Sequence, residues 1–193
     1  MKAVNRARVF FSTELDLIED EDFRAFTERV LNAAPDYFWS VPSSSSHHPE
    51  DERIEGGRVL HARRCVRLAN DICDAMDGSL FSVYLKRDIL ISAALVHDIC
   101  IRGSNDRPSS DKAMYDHGKI AYFFIRDAAH KLVGRELHPV MPIGALTGLV
   151  ESHMGRWGPT PPTGYAQVLF HLIDYIVSRE SIRVEPLGGE SHD

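Results

Sequence analysis

Three ionisable residues lie inside apolar stretches of the sequence, where a charge is costly unless it has a partner. Asp174 sits in the segment VLFHLIDYIV. The adjacent His97 and Asp98 close the segment ILISAALVHDIC, which carries no charge from Ile89 to Val96. An ionised carboxylate in such surroundings needs a cation, a hydrogen-bond network or a raised pKa. These residues predict an interior site that holds a positive ion.

Three histidines lie at the ends of other predicted helices, and we group them with this site. Imidazole and carboxylate together favour Mn, Fe, Co, Ni or Zn over a site for Mg²⁺ alone, although Mg²⁺ stays open as an alternative. We expect one or two ions. The predicted ligands of the first ion are His61, His97, Asp98 and Asp174, and those of a second ion are His117 and His153, with Asp98 bridging.

A metal ion in such a site predicts hydrolysis of a phosphoester. It lowers the pKa of its water toward neutrality and neutralises a phosphoryl oxygen, and this reaction needs both effects. Lys119 and Arg156 rank first among the cations that could hold phosphate, because each lies within three residues of a predicted ligand histidine. The predicted catalytic residues are Asp98, Lys119 and Arg156, and the predicted substrate-binding residues are Arg64, Arg102, Lys112, Lys119, Arg156 and His48.

Apolar residues recur at helical spacing, and no segment sustains the period-two alternation of a strand. We predict an all-α fold in which helices pack around an interior site. The predicted helices cover about 21–33, 58–75, 84–99, from 115 onward, 143–153 and 165–181. Neighbouring side chains on a helix point about 100° apart. His97 and Asp98 can therefore share an ion only near a helix end. The loops 43–57 and 102–112 are expected to line or cover the pocket.

Composition limits the classes of function. The 193 residues fit one domain, and 44% of them are hydrophobic, which is enough for a sizeable core. The formal net charge of −6 argues against coating of duplex DNA and against an anionic membrane surface. Three cysteines without a CxxC pair, Cys65, Cys73 and Cys100, indicate reduced, buried thiols. No stretch reaches the ~18–20 apolar residues of a membrane span, and we expect a cytoplasmic protein.

The order of the predicted ligands resembles the H…HD…H…H…D pattern of the HD superfamily of metal-dependent phosphohydrolases. The matching residues are His61, His97, Asp98, His117, His153 and Asp174. The likeness covers about residues 36–182. The stretch SSSSHHPEDERIEGGRVLHARR looks like the opening segment of HD proteins related to bacterial 3′–5′ exoribonucleases. VESHMGRWG and LIDYIVSR look like the late histidine and the closing aspartate helix of that subgroup. The resemblance implies one HD-type domain over 1–193, with an N-terminal helical extension and a frayed C-terminal tail.

The resemblance also implies a substrate class, namely a nucleotide or a short oligonucleotide whose phosphoester is attacked by metal-activated water. Many members continue the HD pair with Gly-Lys, whereas Cys100 and Ile101 follow here, and Arg102 could replace the lysine. The net acidity favours a small nucleotide. A homo-oligomer stays open.

Three other interpretations stay open at this point. A non-catalytic module would bind a nucleotide or a partner on a retained metal site without turnover. A di-iron oxygenase on a similar helical scaffold would bind iron and take up oxygen when its substrate is present. A helical protein with unrelated histidines would not bring them together.

Overall fold

A computed structural model gives the chain an all-α fold, as predicted, and describes residues 4–43, 47–77, 86–105, 111–132 and 142–188. The described part contains no strand. Its α-helices are α1 (Arg6–Leu15), α2 (Glu21–Asn32), α3 (Gly57–Ala75), α4 (Arg87–Val96), α5 (Asp111–Leu132), α6 (Ile143–Ser152) and α7 (Tyr165–Val177). One hydrophobic core collects buried side chains from all of them.

Helix α4 is the central element of this core. Every residue from Leu90 to Val96 is buried, because α4 packs against α2, α3, α6 and α7 and has no polar face to offer solvent. The helix ends at Val96, earlier than the predicted end at 99. The amide of His97 still donates to the carbonyl of Ala93 at 2.9 Å, after which the chain turns. The helix end that a shared ion requires is therefore present at His97 and Asp98.

The first two helices cover one side of α3 and α4. Asp20 caps α2, since its carboxylate accepts from the amide of Phe23 at 2.9 Å. Helix α1 was not predicted. It buries Ala7, Phe11 and Leu15 at helical spacing, whereas Val9 between them is exposed and obscures the periodicity.

The segment before α3 is held firmly against the body of the protein. Ser43 donates its amide to the carbonyl of Glu52 at 2.7 Å and its hydroxyl to the carbonyl of Gly57 at 3.1 Å. A Cβ on Gly57 would lie 1.8 Å from that same Glu52 oxygen, so only glycine allows this approach. The segment therefore presents the side chain of Glu52 to the interior. Residues 44–46 of this predicted loop lie outside the described part.

The chain after α7 is docked in part, which corrects the prediction of a tail frayed from Glu185 onward. Val184 and Leu187 pack against the core, and the carbonyl of Leu187 accepts from Arg63 at 3.1 Å. Residues 189–193 of that tail, and residues 106–110 of the predicted loop at 102–112, lie outside the described part. No helix in the described ranges is long and apolar enough to cross a membrane.

Candidate metal centre

The structure brings the six predicted ligands together around two adjoining groups of donor atoms. In the first group, Asp174 Oδ1 lies 3.0 Å from His61 Nε2 and 3.7 Å from His97 Nε2. These residues come from α7, α3 and the turn after α4. The side chain of Asp174 is 20% exposed and both histidines are fully buried. This convergence fits the predicted first ion, although the role of each residue stays a prediction.

The second group is centred on Asp98. Its Oδ1 lies 3.0 Å from His117 Nε2 and 3.5 Å from His153 Nε2, and its Oδ2 lies 3.4 Å from His97 Nε2. One carboxylate therefore faces both groups with different oxygens, which is the arrangement a bridging ligand needs. Its Oδ2 also accepts a short hydrogen bond from the buried guanidinium of Arg58.

Three of the histidines are oriented in the same way by the local backbone. The Nδ1 atoms of His97, His117 and His153 lie 3.0, 2.6 and 2.6 Å from the carbonyl oxygen three residues earlier. A carbonyl only accepts, so each Nδ1 carries a hydrogen and each Nε2 is directed at the interior, where it presents a lone pair whenever the ring is neutral. Metal-binding histidines are commonly held in this manner.

These lone pairs test whether the site fits a metal. His97 Nε2 is buried and has no hydrogen-bond partner among the described residues. His117 Nε2 and His153 Nε2 lie 2.9 Å apart although the Nδ1 atom of each ring already donates. Two facing lone pairs repel each other unless a proton or a metal ion lies between them. The donor set therefore fits divalent transition metals, which imidazole and carboxylate ligands select.

The ends of two helices add to the attraction for a cation. His97 and His153 occupy the C-terminal cap positions of α4 and α6, which pack against each other. The C-terminus of a helix has an effective charge of about −0.5, so both ends favour a positive ion beside the two rings.

Glu52 is a functional residue that the sequence analysis missed. Its side chain is fully buried, and Oε2 accepts from His48 Nδ1 at 2.7 Å and from His61 Nδ1 at 3.2 Å. Its Oε1 accepts from Arg64 at 2.8 Å. Burial opposes ionisation of Glu52, but the hydrogen bonds from His48 and His61 outweigh it and lower the pKa of Glu52. The carboxylate therefore fixes both rings with Nε2 directed away from it.

Neighbouring charges keep the two predicted aspartate ligands ionised. Burial opposes ionisation, but the charge of Arg58 holds the pKa of Asp98 well below its usual range, and the hydrogen bond from His61 does the same for Asp174. Burial also opposes the charging of His97, yet the negative charges of the nearby Asp98 and Asp174 carboxylates raise the pKa of His97 to about 10. In the metal-free protein a second proton therefore occupies His97 at neutral pH, and a metal ion must displace it.

A cavity of about 150 Å³ opens beside these donor atoms, and its lining shows which predicted substrate-binding residues lie close by. His48 lines it together with Asp98, His117, His153 and Asp174, and contact of His48 with a substrate stays a prediction.

The other predicted cations lie elsewhere. Arg64 is turned toward Asp51 and Glu52, which accept hydrogen bonds from its two terminal nitrogens at 2.7–2.8 Å, so its assignment to substrate is corrected to an internal ion pair. The predicted residues Arg102, Lys119 and Arg156 are exposed and outside the described lining, and the side chain of Lys112 lies outside the described part.

Two arginines that the sequence analysis did not select line the cavity instead, namely Arg58 and Arg179. Arg179 lies 4.5 Å from the ring centre of Tyr175, which stacks on Trp157 at 5.5 Å. No local motif marks these arginines. Arg58 lies one helical turn before His61 and Arg179 lies five residues after Asp174, and this proximity to ligands was the available signal.

Comparison with known proteins agrees with this geometry. The family model described as "HD domain" matches residues 58–178, which is well over half of the chain and includes all six predicted ligands. Searches of curated proteins and of solved structures found no match. On the strength of the family match and of the convergent histidines and aspartates, the chain belongs to the HD domain family.

Proposed function

We propose that this protein is a metal-dependent phosphohydrolase that cleaves a phosphoester of a nucleotide or a short oligonucleotide, with water as the nucleophile. One observation supports this most strongly. Imidazole nitrogens and two ionised carboxylates converge beside a cavity that is also lined by two guanidinium groups. Ligands for a metal and cations for a phosphate are thereby neighbours.

The protein's own groups divide the work in this proposal. His61, His97, Asp98, Asp174, His117 and His153 would hold one or two divalent ions, which supply Lewis acidity and water of lowered pKa. Asp98 is ionised and lies between the two groups of imidazoles, so it can accept a hydrogen bond from the attacking water and orient it. Arg58 and Arg179 would bind phosphoryl oxygens, because a guanidinium presents several donors to an oxyanion.

The size of the cavity bears on the substrate. At about 150 Å³ it is smaller than the ~300–1,000 Å³ of typical ligand pockets. It therefore suits one phosphate group and the scissile bond, with the rest of the substrate at the rim. Trp157 is 45% exposed at this rim, where its ring can contact a base. The predicted cation Arg156 lies 4.6 Å from the Trp157 ring and is suited to the outer part of the substrate. We favour a mononucleotide.

The test is hydrolysis by protein that is stripped of metal and then reloaded with Mn, Fe, Co, Ni, Zn or Mg. A library of nucleotides and short oligonucleotides supplies the substrates. Asp98→Asn and His97→Ala should each abolish hydrolysis while the helical circular dichroism persists. His130→Ala, which alters an exposed histidine on α5, is the matched control and should keep full activity. Full activity in Asp98→Asn would contradict the proposal.

The same samples separate the two alternatives that also use the metal site. Tight nucleotide binding without turnover in any metal would favour a non-catalytic module. Bound iron with oxygen uptake that depends on a substrate would favour a di-iron oxygenase. Hydrolysis supported by a redox-inert metal would exclude both.

A further inference from the structure

A thiol lies among the donor atoms of the first group. Cys65 follows His61 by one turn on α3, and its Sγ lies 3.6 Å from His61 Nε2. The side chain is fully buried. The donor atoms of His61, Cys65, His97 and Asp174 all lie within 4.8 Å of one another. The proposed hydrolysis uses three of these residues and leaves Cys65 without a role.

Three of the distances among these four donors are close to those around a tetrahedral ion. Zinc takes sulfur at about 2.3 Å and nitrogen or carboxylate oxygen at about 2.0–2.2 Å, which gives ligand-to-ligand distances of roughly 3.3–3.6 Å. The sulfur-to-nitrogen distance to His61 is 3.6 Å. The two distances from Asp174 Oδ1, to His61 Nε2 and His97 Nε2, are 3.0 and 3.7 Å. These values bracket the tetrahedral range.

A second and independent observation points to a ligand at the same place. His97 Nε2 is fully buried, is directed into this group and has no hydrogen-bond partner among the described residues. A buried polar nitrogen without a hydrogen-bond partner is unfavourable, so its position here points to a ligand that binds it. The Asp98 oxygen nearest to His97 Nε2, which is Oδ2, is already engaged by the guanidinium of Arg58.

We propose that Cys65 is a ligand for a thiophilic ion. Zn²⁺ or Cd²⁺ is held by His61, Cys65, His97 and Asp174 in a closed set of four protein ligands. Binding forms the sulfur–metal bond and breaks the S–H bond, His97 loses the proton on its ligating nitrogen, and both protons go to solvent. A closed set leaves no position for water, as in structural zinc sites. Mn²⁺ prefers oxygen and nitrogen, and it takes Asp98 in place of the thiol. Cys65 thus determines which metals activate the site and which block it.

This inference rests on the proposed metal centre but not on hydrolysis, so its test is spectroscopic. Wild-type protein, Cys65→Ser and Cys73→Ser are each titrated with Co²⁺, which reports thiolate ligation by a sulfur-to-cobalt charge-transfer band in the near ultraviolet. Cys73 lies two turns further along α3, is also buried, and belongs to no group of candidate ligands in the described part of the chain. The band is expected in wild type and Cys73→Ser and should be absent from Cys65→Ser.

Affinity provides the second measurement. Competition with a chelator should show that Cys65→Ser binds Zn²⁺ and Cd²⁺ more weakly by about 10–100-fold, while its affinity for Mn²⁺ changes little. Zn²⁺ should inhibit Mn²⁺-supported hydrolysis in wild type and much less in Cys65→Ser.

The outcomes separate this inference from the proposed function. Binding of Co²⁺ to wild-type protein without the charge-transfer band would overturn the role of Cys65 and leave the metal centre intact. Survival of the band in Cys65→Ser would do the same. Failure of wild-type protein to bind any metal would overturn both proposals. The wild-type spectrum alone decides the question if Cys65→Ser does not fold.

Discussion

Replacement of Glu52 by glutamine tests whether a residue outside the donor set controls the metal centre. Three donors converge on this carboxylate, from His48, His61 and Arg64. Glutamine has the same shape but only one acceptor oxygen, and its amide nitrogen would face another donor. His61 then loses the charged partner that holds its Nε2 toward Asp174.

The structure sets the expected size of the effect. Loss of the partner that orients a ligand histidine typically weakens metal binding by ~10–100-fold, which is about 1.4–2.7 kcal/mol. Arg64 keeps its two hydrogen bonds to Asp51 at 2.8 and 2.7 Å, so its charge stays paired. The metal-free protein should therefore lose only about 2–3 kcal/mol of stability, at or below the low end for a broken buried ion pair.

The assay is calorimetric titration of metal-free protein with Mn²⁺, accompanied by thermal unfolding. Asp51→Asn is the matched control, because it weakens an ion pair of the same Arg64 without touching Glu52. The side chain of Asp51 is 48% exposed, and its described hydrogen bonds are with Arg64. It should bind Mn²⁺ as wild type does. Unchanged Mn²⁺ affinity in Glu52→Gln, in a protein that remains folded, would refute the reasoning.

Three further predictions follow from particular contacts. Because the pKa of His97 is raised from 6.5 to about 10, its charged pairs stabilise the metal-free fold fully below pH 6.5 and are lost as the pH rises through about 10. A metal must displace that proton, so the affinity for Mn²⁺ should rise with pH across this window. Calorimetric titrations in buffers of different ionisation enthalpy should also detect the released proton, and an affinity that does not change with pH would contradict this. Gly57→Ala should lower the melting temperature and weaken Mn²⁺ binding, because its Cβ would lie 1.8 Å from the Glu52 carbonyl oxygen. The Cβ of the control variant Gly144→Ala meets nothing within 4 Å, so the melting temperature and the Mn²⁺ affinity should stay as in wild type. Arg179→Gln should raise KM for the best nucleotide substrate by about tenfold, measured from initial rates, while the metal content of the protein stays the same. An unchanged KM would show that Arg179 does not bind the phosphate.

The convergence of these histidines and aspartates could be predicted because the surroundings of several of them in the sequence are unusual. Asp174 and the His97–Asp98 pair interrupt runs of apolar residues, and burial makes such interruptions costly unless they share a purpose. A helix end near His97 followed from the divergence of adjacent helical side chains, although the predicted end was at 99 and the observed end is at Val96. His117 and His153 joined the set because they lie at the ends of other predicted helices.

The supporting residues could not be predicted in this way. Glu52 lies in an irregular, charged segment where nothing in the sequence shows that its side chain turns inward. Its position depends on the contact between Gly57 and the Glu52 backbone, which is a tertiary feature. Cations are equally hard to assign, because Arg64 and Arg58 lie two turns apart on the same helix and point to different carboxylates. Helix α1 was missed since exposed Val9 and Phe10 blur its apolar face.

Anomalous X-ray diffraction from crystals grown with Mn²⁺ measures the central claim most directly. The account predicts a peak in contact with His61 Nε2, His97 Nε2 and the Asp174 carboxylate, with Asp98 on its other side. A peak elsewhere on the protein, with His97 Nε2 left unligated, would contradict it.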